Sequence, residues 1–285
     1  MKVWMNGKLV DKKNARISVW DHGLLYGDGV FEGIRAYGGK VFQAQAHIDR
    51  LFDSAKSIRL AIPYTKQELT DAIYETLRAN DQADAYIRLV VTRGEGNLGL
   101  NPFQCPVPGV FIISDQIVLY PEEMYREGMA VIIAKTVRTS ARMLSPAVKS
   151  LNYLNNIVAK IEAIDAGVAE AIMLNEYGKV AECTGDNIFM VKGGKVMTSP
   201  PSAGILIGIT RQVVLNLAGT LHISVVEKEI TVEELLAADE CFLTGTAAEI
   251  IAVTRIDNRP IGKGVGPVTK KLFEAFRQYI ASGNC

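Results

Sequence analysis

The chain has 285 residues, of which 48% are hydrophobic and 22% charged; this excludes a disordered chain and predicts one large domain or two ordinary ones. Its 31 Lys and Arg residues balance its 31 Asp and Glu residues, so no basic field is available for nucleic acid. No apolar run predicts a membrane span, and the N-terminus has the pattern of a strand entering a turn, not of a signal peptide.

The first part of the chain, residues 1–116, predicts a small domain of strands and helices. The predicted elements are hairpins at Asn6-Gly7 and Gly38-Gly39, helices over 46–58 and 65–80, and strands over 86–92 and 110–114. Asn-Gly is a strong hairpin signal. Thr65 followed three residues later by Glu68 has the pattern of a capping box, which places a helix start there.

The periodic pattern breaks over residues 117–128, which contain a proline and several acids. This break predicts the connection to a larger C-terminal domain, residues 129–285. The elements predicted there are strands over 130–135, 223–226 and 240–243, hairpins over 171–180 and 187–198, and helices after Lys149, over 210–218 and over 267–281.

Lys149 stands immediately before a stretch with helical periodicity. Apolar residues recur at three-and-four spacing and predict a helix buried on one side: Leu151, Leu154, Val158 and Ile161. Ser150 is the expected cap, and Tyr153 would lie about one helical turn from Lys149. A lysine amine beside apolar sequence is a usable nucleophile. A solvated lysine ahead of a core helix is the alternative that this stretch alone leaves open.

Four further segments combine with Lys149 into a specific pattern. They are the motif around Glu182 at 178–189, Gly-Ile-Thr-Arg at 208–211, Thr-Gly-Thr-Ala-Ala-Glu at 244–249, and the segment 26–35. Together they resemble the class IV aminotransferases, which use pyridoxal 5′-phosphate, and segment 26–35 is similar to the branched-chain group. The resemblance implies an α/β (α+β) fold of type IV, with a small N-terminal α/β domain and a larger C-terminal domain around a β-barrel-like sheet.

The resemblance also implies how the cofactor is held. Lys149 would form the Schiff base, Glu182 would pair with the pyridine nitrogen, and Tyr153 would hydrogen-bond the phenolic oxygen. The phosphate would be bound by Arg50, Ile209, Thr210 and Thr246. The residues themselves support an anion site at 209–210, because the first N–H groups of a helix are free. Read alone, Thr210 could be only a helix cap, Arg50 a polar helix position and Glu182 a surface residue.

The sequence specifies the residues that bind the substrate less fully than those that hold the cofactor. Tyr86 and Arg88 alternate with Ile87 in a predicted strand, so they should share a face. The resemblance assigns the side-chain pocket to Tyr26, Phe31, Arg35, Tyr86, Arg88 and Leu98, and the substrate α-carboxylate to the N–H groups of Thr246 and Ala247. Core packing is the alternative for Phe31 and Leu98. Relatives carry a Trp-Gly pair where this chain has Ile-Val-Leu-Tyr at 117–120.

In such relatives Tyr26 and the Leu98 region come from the neighbouring subunit. The resemblance therefore implies a homo-oligomer, a homodimer or hexamer, with the active site at the dimer interface. Neither thiols nor imidazoles suggest a triad or metal site, because they are scattered: Cys105, Cys183, Cys241, Cys285, His22, His47 and His222. Free thiols predict a cytoplasmic protein.

The function implied is ping-pong transamination between L-leucine, L-isoleucine or L-valine and 2-oxoglutarate, in branched-chain amino-acid biosynthesis or degradation. The partners would be small molecules, with no nucleic acid and no membrane. Two alternatives keep the fold but change the reaction, a D-amino acid aminotransferase and an aminodeoxychorismate lyase. A third is a binding protein without activity, which the presence of Lys149 and Glu182 disfavours.

Overall fold

A computed structural model describes residues 1–117 and 119–283. The described chain divides into two compact units. The first comprises residues 1–117, 148–152 and 283, and the second comprises residues 119–147 and 153–282. Cys285 lies outside the described residues.

The first unit is a six-stranded antiparallel sheet with two long helices. In chain order its elements are β1 (Lys2–Met5), β2 (Lys8–Asp11), α1 (His22–Tyr26), β3 (Gly29–Tyr37), β4 (Lys40–Val41), α2 (Ala44–Ser57), α3 (Lys66–Ala79), β5 (Ala85–Thr92) and β6 (Gly109–Asp115). Across the sheet the strands stand in the order β2-β1-β6-β5-β3-β4.

Local sequence accounts for most of these elements. Asn6 and Gly7 have φ angles of 47° and 88°, which closes the β1–β2 hairpin as the Asn-Gly signal predicts. The capping box at α3 is confirmed: the Thr65 hydroxyl accepts from the Glu68 N–H, and the Glu68 carboxylate accepts from the Thr65 N–H. The two predicted helices and the strands β5 and β6 are confirmed within a few residues.

The two faces of this sheet have different roles. Side chains of β3 that point one way, Val30 and Ile34, join the core with residues of α2 and α3 such as Leu51 and Ile73. The opposite face carries the intervening residues of β3 and the residues of β5 paired with them. Arg88 pairs with Gly33 and Tyr86 pairs with Arg35. The helices therefore cover one face, and the other holds several predicted site residues.

The second unit is built on a nine-stranded sheet. Its elements are α4 (Glu122–Glu127), β7 (Met129–Ile133), α5 (Leu154–Asp165), β8 (Glu170–Leu174), β9 (Val180–Cys183), β10 (Asn187–Lys192), β11 (Lys195–Thr198), α6 (Ile209–Thr220), β12 (Val225–Glu227), α7 (Val232–Leu236), β13 (Glu240–Gly245), β14 (Glu249–Ile256), β15 (Arg259–Pro260) and α8 (Pro267–Ala281). The central order is β12-β11-β10-β13-β14-β7-β8-β9, with β15 beside β14.

This second sheet curls into a half-barrel. β9 stands at one end of the strand order and β10 near the other, yet a turn of three residues joins them. The Cys183 N–H donates to the Asp186 carbonyl across that turn at 2.7 Å. The curl that the turn imposes encloses an apolar core that includes Val131, Ile172 and Leu243. The expected fold class is thus confirmed.

The helix after Lys149 differs from its prediction. α5 begins at Leu154, and its buried residues are Asn156, Ala159 and Ala163. Of the apolar residues expected to be buried, Leu154 at 70%, Val158 at 43% and Ile161 at 49% are exposed within the chain, and Leu151 is half-buried. The prediction of a buried apolar face was wrong because small residues allow the closest approach of this helix to its own sheet.

The segment before that helix is extended, so Ser150 does not cap it. The Phe31 N–H donates to the Lys149 carbonyl at 3.0 Å, and the Leu151 N–H donates to the Gly29 carbonyl at 2.9 Å. Ser150 therefore pairs with Val30 of β3 as an isolated antiparallel bridge. The Ser150 hydroxyl instead accepts from the Asn152 N–H. The spacing between Lys149 and Tyr153 is consequently not a helical turn.

Among the described residues, no helix combines the length and apolar character that crossing a membrane requires. The break at 117–128 carries the short helix α4. Strand β14 follows the Thr-Gly-Thr-Ala-Ala-Glu motif and was not predicted, because its continuous apolar run does not alternate.

Candidate active site

The open face of the first sheet gathers an aromatic and cationic cluster around Phe31. The guanidinium carbon of Arg88 lies 4.5 Å from the Phe31 ring centroid and 5.7 Å from that of Tyr86. Arg88 also donates to the Tyr86 hydroxyl at 3.3 Å. Tyr86 and Arg88 share one face, as the strand pattern predicts. A side chain at Gly33 would overlap the Tyr86 hydroxyl, with its Cβ 2.0 Å from that oxygen, so glycine is needed there.

Lys149 belongs to the same face. Its Nζ lies 4.6 Å from the centroid of Phe31. The backbone on both sides is fixed, because the Lys149 N–H donates to the Ser54 hydroxyl at 3.1 Å and its carbonyl accepts from β3. The amine is therefore held by backbone pairing to a strand, which positions it more narrowly than an unpaired loop would.

Arg50 projects from α2 and is held by Glu32. The guanidinium donates through Nε to Oε1 at 2.8 Å and through one terminal nitrogen to Oε2 at 2.7 Å. This forked pair fixes the plane and the direction of the guanidinium. His47, one helical turn away, donates from Nδ1 to the same Oε2 at 2.7 Å.

Neighbouring charges and burial set the protonation states of Glu32 and His47. Burial alone would raise the pKa of Glu32, but the charge and hydrogen bonds of Arg50, with a contribution from His47, lower it to about 2. Burial lowers the pKa of His47, although Glu32 acts in the opposite direction. The carboxylate is thus ionised and the imidazole neutral at neutral pH. Nε2 of His47 is buried and has no hydrogen-bond partner among the described residues.

The remaining candidates of the first unit are Tyr26, Leu98 and Arg35. The Tyr26 hydroxyl donates to the Leu98 carbonyl at 2.5 Å, and both side chains are exposed. They are surrounded in sequence by further exposed apolar residues: Trp20, Leu24, Leu25, Leu100 and Phe103. Arg35 stacks on Tyr37 with its guanidinium carbon 5.1 Å from the ring centroid.

In the second unit, Glu182 lies in β9 and is only 5% exposed. Oε1 accepts from Nε of Arg138 at 2.9 Å, while Oε2 accepts from the Asn187 amide at 3.1 Å and from the Leu206 N–H at 3.0 Å. These donors satisfy a buried carboxylate and fix its direction. The alternative of a solvated surface glutamate is excluded.

An anion site fits the start of α6. The cap residue is Gly208, which has no side chain and therefore cannot cap the first N–H groups of the helix. Thr210 follows at the second helical position. Its hydroxyl is buried and has no hydrogen-bond partner within the described chain. Ile209, also buried, precedes it. Thr210 is not the cap, and its unpartnered hydroxyl is consistent with a role in holding a group that the chain itself does not supply.

Thr246 and Ala247 form the turn between β13 and β14. Both are partly exposed, unlike the buried strands on either side. Gly245, which precedes them, has no room for a side chain, since a Cβ there would lie 1.9 Å from Oδ1 of Asp186. Tyr153 lies at the start of α5 and is partly exposed.

Sequence reasoning missed the residues that hold the site residues in place. His47 and Arg50 are three positions apart on one helix face, and this spacing could have indicated their shared partner, Glu32. Arg138 lies in irregular chain, where no periodic signal exists. Asn187 stands inside a recognised motif, but a sequence cannot show that its amide turns towards Glu182.

The comparison with known families agrees with this arrangement. The family model "Amino-transferase class IV" matches residues 29–256. The chain belongs to this family. A Methanocaldococcus jannaschii protein, provisionally named a branched-chain-amino-acid aminotransferase, is 55% identical over 278 residues, covering 97% of this chain and 96% of the relative.

Solved structures of two relatives match the whole fold. The T.th. branched-chain amino acid aminotransferase with pyridoxamine 5′-phosphate has a TM-score of 0.95 and 38% identity, covering 99% of this chain and 94% of the other. The branched-chain aminotransferase from the thermophilic archaeon Thermoproteus uzoniensis with norvaline has a TM-score of 0.92 and 42% identity, covering 99% of this chain and 95% of the other.

The residues of this chain fit a phosphorylated pyridine aldehyde. A directed and buried carboxylate, Glu182, matches a pyridinium nitrogen, and the unpartnered Thr210 hydroxyl at a helix start matches a phosphate. Lys149 offers the amine, held by backbone bonds on both sides. These features are independent of one another.

Proposed function

We propose that this protein is a pyridoxal 5′-phosphate-dependent transaminase that exchanges the amino group between branched-chain L-amino acids and 2-oxoglutarate. The observation that carries the proposal is the buried Glu182 carboxylate, oriented by Arg138 and Asn187. The names of the full-length relatives support the substrate class.

The cofactor, when bound, supplies an electron sink for the pair of electrons released at the substrate α-carbon. Glu182 makes this possible by keeping a proton on the pyridine nitrogen, since a carboxylate at that position favours the charged ring. Arg138 and Asn187 keep the carboxylate from rotating away. The Tyr153 hydroxyl would donate to the phenolic oxygen.

Lys149 has two tasks in this proposal. Its amine would hold the cofactor covalently and would be freed when the amine of the substrate takes its place. The freed Lys149 amine would then act as the base that accepts the proton of the substrate α-carbon. The backbone hydrogen bonds on either side of Lys149 fix the point from which its side chain extends.

The phosphate is held by complementary groups. Arg50 provides a positive charge in a guanidinium that Glu32 orients. Ile209 and Thr210 provide the N–H groups of a helix start and one hydroxyl, and Thr246 provides a further contact.

The substrate binds by its carboxylate and its side chain. The N–H groups of Thr246 and Ala247 take the α-carboxylate, and Phe31, Tyr86 and Arg35 help to form the pocket. Arg88 gives the pocket its dual character, because its guanidinium can bind the distal carboxylate of glutamate. With leucine bound, Arg88 rests on Phe31 and Tyr86, as it does here.

We also infer that the protein is a cytoplasmic homo-oligomer whose pocket is completed by Tyr26 and Leu98 of a neighbouring copy. The exposed apolar residues around Tyr26 form a surface that a monomer would leave in water. Within the described part of the chain, Cys105, Cys183 and Cys241 form no disulfide, which suits a reducing compartment.

Single-turnover absorption spectra of the holoenzyme test the proposed function. Addition of L-leucine or L-glutamate alone should convert the bound cofactor to its amine form. L-leucine inactive and D-leucine or D-alanine active would contradict the branched-chain L-specificity and favour a D-amino acid aminotransferase. No conversion by any amino acid would contradict transamination itself.

A further inference from the structure

A buried acidic cluster lies beneath the turn that follows β13. Glu170 and Asp186 are 2% and 6% exposed. Glu170 begins β8, and Asp186 ends the turn between β9 and β10. Neither residue is used in the proposed reaction. Burying two carboxyl groups costs free energy unless each is neutral or is compensated by hydrogen bonds or opposite charge.

The two acids have unequal partners. Oε1 of Glu170 accepts from the Ala171 N–H at 2.7 Å, the Thr184 N–H at 3.1 Å and the Thr184 hydroxyl at 2.6 Å. Nζ of Lys160 lies 3.6 Å from its Oε2. These donors stabilise negative charge on Glu170. Asp186 has a hydrogen bond from the Tyr120 hydroxyl.

The surroundings of Asp186 disfavour its ionised form. Burial raises the pKa of Asp186, the charge of Glu170 raises it further and that of Glu182 adds to this, while Lys160 and Tyr120 oppose them; the result is about 7. Burial raises the pKa of both Tyr120 and Cys183, so each stays neutral.

The carboxyl group of Asp186 also lies directly against the functional turn. Oδ1 is so close to Gly245 that a Cβ on that glycine would be 1.9 Å away. Thr244 and Asn187 pair across β13 and β10 at the same level, which fixes this contact. The two residues after Gly245 are those assigned to the substrate α-carboxylate. A charge on Asp186 would thus lie against the residue that precedes the two N–H groups assigned to the carboxylate.

We propose that Asp186 positions the 245–247 turn through this contact and that ionisation of its carboxyl group weakens the binding of carboxylate substrates there. The proposal rests on the proposed function, which assigns that turn to the α-carboxylate. Neutral Asp186 packs against Gly245 without repelling the ligand, whereas ionised Asp186 opposes it from a buried position, where charge is weakly screened. By reciprocity, a bound carboxylate must make Asp186 harder to ionise.

The test uses 4-methylpentanoate, which has the carbon skeleton of leucine without its amine. Its dissociation constant from the holoenzyme is measured by calorimetry between about pH 6 and about pH 8.5, where the probe itself stays ionised. Affinity should fall about five- to tenfold with a midpoint near that of Asp186. Constant affinity across the range overturns the inference alone. No binding at any pH overturns the proposed function, and this inference with it.

Two variants and a labelling experiment make the test specific to Asp186. Asp186→Asn should remove the pH dependence, whereas Asp165→Asn, which alters an exposed acid at the end of α5, should retain it. Aspartate ¹³C labelling of the wild-type holoenzyme should show a carboxyl group titrating near pH 7, with a midpoint that rises when 4-methylpentanoate is saturating. A midpoint unmoved by ligand contradicts the inference even if Asp186→Asn does not fold.

Discussion

Two buried carboxylates, Glu32 in the first unit and Asp186 in the second, have opposite pKa shifts. The pKa of Glu32 is lowered to about 2 and that of Asp186 is raised to about 7. Burial raises both, so burial cannot explain the difference. The neighbours explain it: Glu32 faces the guanidinium of Arg50, whereas Asp186 faces the carboxylate of Glu170.

The difference shows that the same residue class serves two purposes in one protein. Glu32 is a permanent anion that fixes Arg50 in direction. Asp186 is poised to change its charge near neutral pH. Burial disfavours the charged form in both places; Arg50 overcomes this at Glu32, whereas the charge of Glu170 adds to it at Asp186.

The largest expected effect comes from removing Arg50, the cation that compensates the charge of Glu32. Arg50→Met should lower the free energy of unfolding by about 3 to 5 kcal/mol at neutral pH, because it leaves the Glu32 carboxylate buried without its main partner. Urea unfolding measures this. The double variant Arg50→Met/Glu32→Gln should recover much of the loss, and a double variant as unstable as the single one would show that packing, not charge, dominates.

The second largest effect is on the pH dependence of stability, to which Glu32 and Asp186 should contribute in opposite directions. The folded pKa of Glu32 is depressed from 4.5 to about 2, so its contribution of roughly 3 kcal/mol is present above about pH 4.5 and lost as pH falls to about 2. The folded pKa of Asp186 is raised, so its contribution is present below about pH 3.8 and is lost as pH rises through about 7.

Stability differences between wild type and each variant measure these contributions. The destabilisation caused by Glu32→Gln should shrink on acidification, whereas Asp186→Asn should gain stability relative to wild type between about pH 4 and about pH 8. If the two stability differences changed in the same direction with pH, the claim that the two carboxyl groups have opposite pKa shifts would be wrong.

Arg88 contrasts with Arg50, because in the described chain it has no hydrogen bond to a carboxylate. It rests on Phe31 and Tyr86, and its Nε is buried without a hydrogen-bond partner among the residues described. Arg88→Leu should reduce catalytic efficiency with glutamate and 2-oxoglutarate by roughly ten- to a hundredfold, since a charge-assisted pair with the substrate is lost. The leucine half-reaction should fall much less. Equal losses in single-turnover spectra would mean that Arg88 does not distinguish the substrates.

The smallest expected effect comes from Lys160, the cation beside Glu170 and Asp186. Lys160 lowers the pKa of Asp186, so Lys160→Met should move the midpoint of 4-methylpentanoate binding upward, by about one pH unit or less because the lysine is partly exposed. Lys135→Met, a change at another lysine of the same unit, serves as the control. A downward shift for Lys160→Met would contradict the assigned charge arrangement.

The sequence predicted most of the fold because local signals and tertiary packing agree there. The capping box of α3 and the Asn-Gly hairpin are satisfied by residues only a few positions apart. The prediction failed at Ser150 because a long-range contact, the pairing of residues 148–152 with β3, overrides helical periodicity. It failed for the face of α5 because periodicity shows that a face is apolar but not what covers it.

The site was predictable only where chemistry and motif coincide. Tyr86 and Arg88 share a face because strand alternation requires it, and Glu182 is buried as its apolar flanks suggest. Arg138 and Asp186 could not be assigned, since their importance lies in contacts with residues far along the chain.

The most direct test of the proposed reaction is chemical mapping of the amine that binds the cofactor. Borohydride reduction of the holoenzyme followed by peptide mass spectrometry should place the pyridoxyl group on the peptide that carries Lys149, and addition of L-leucine before the reductant should abolish that label. A label on Lys135 or Lys160 instead, or one that L-leucine leaves unchanged, would contradict the assignment of Lys149 as the residue that binds the cofactor and moves the α-proton.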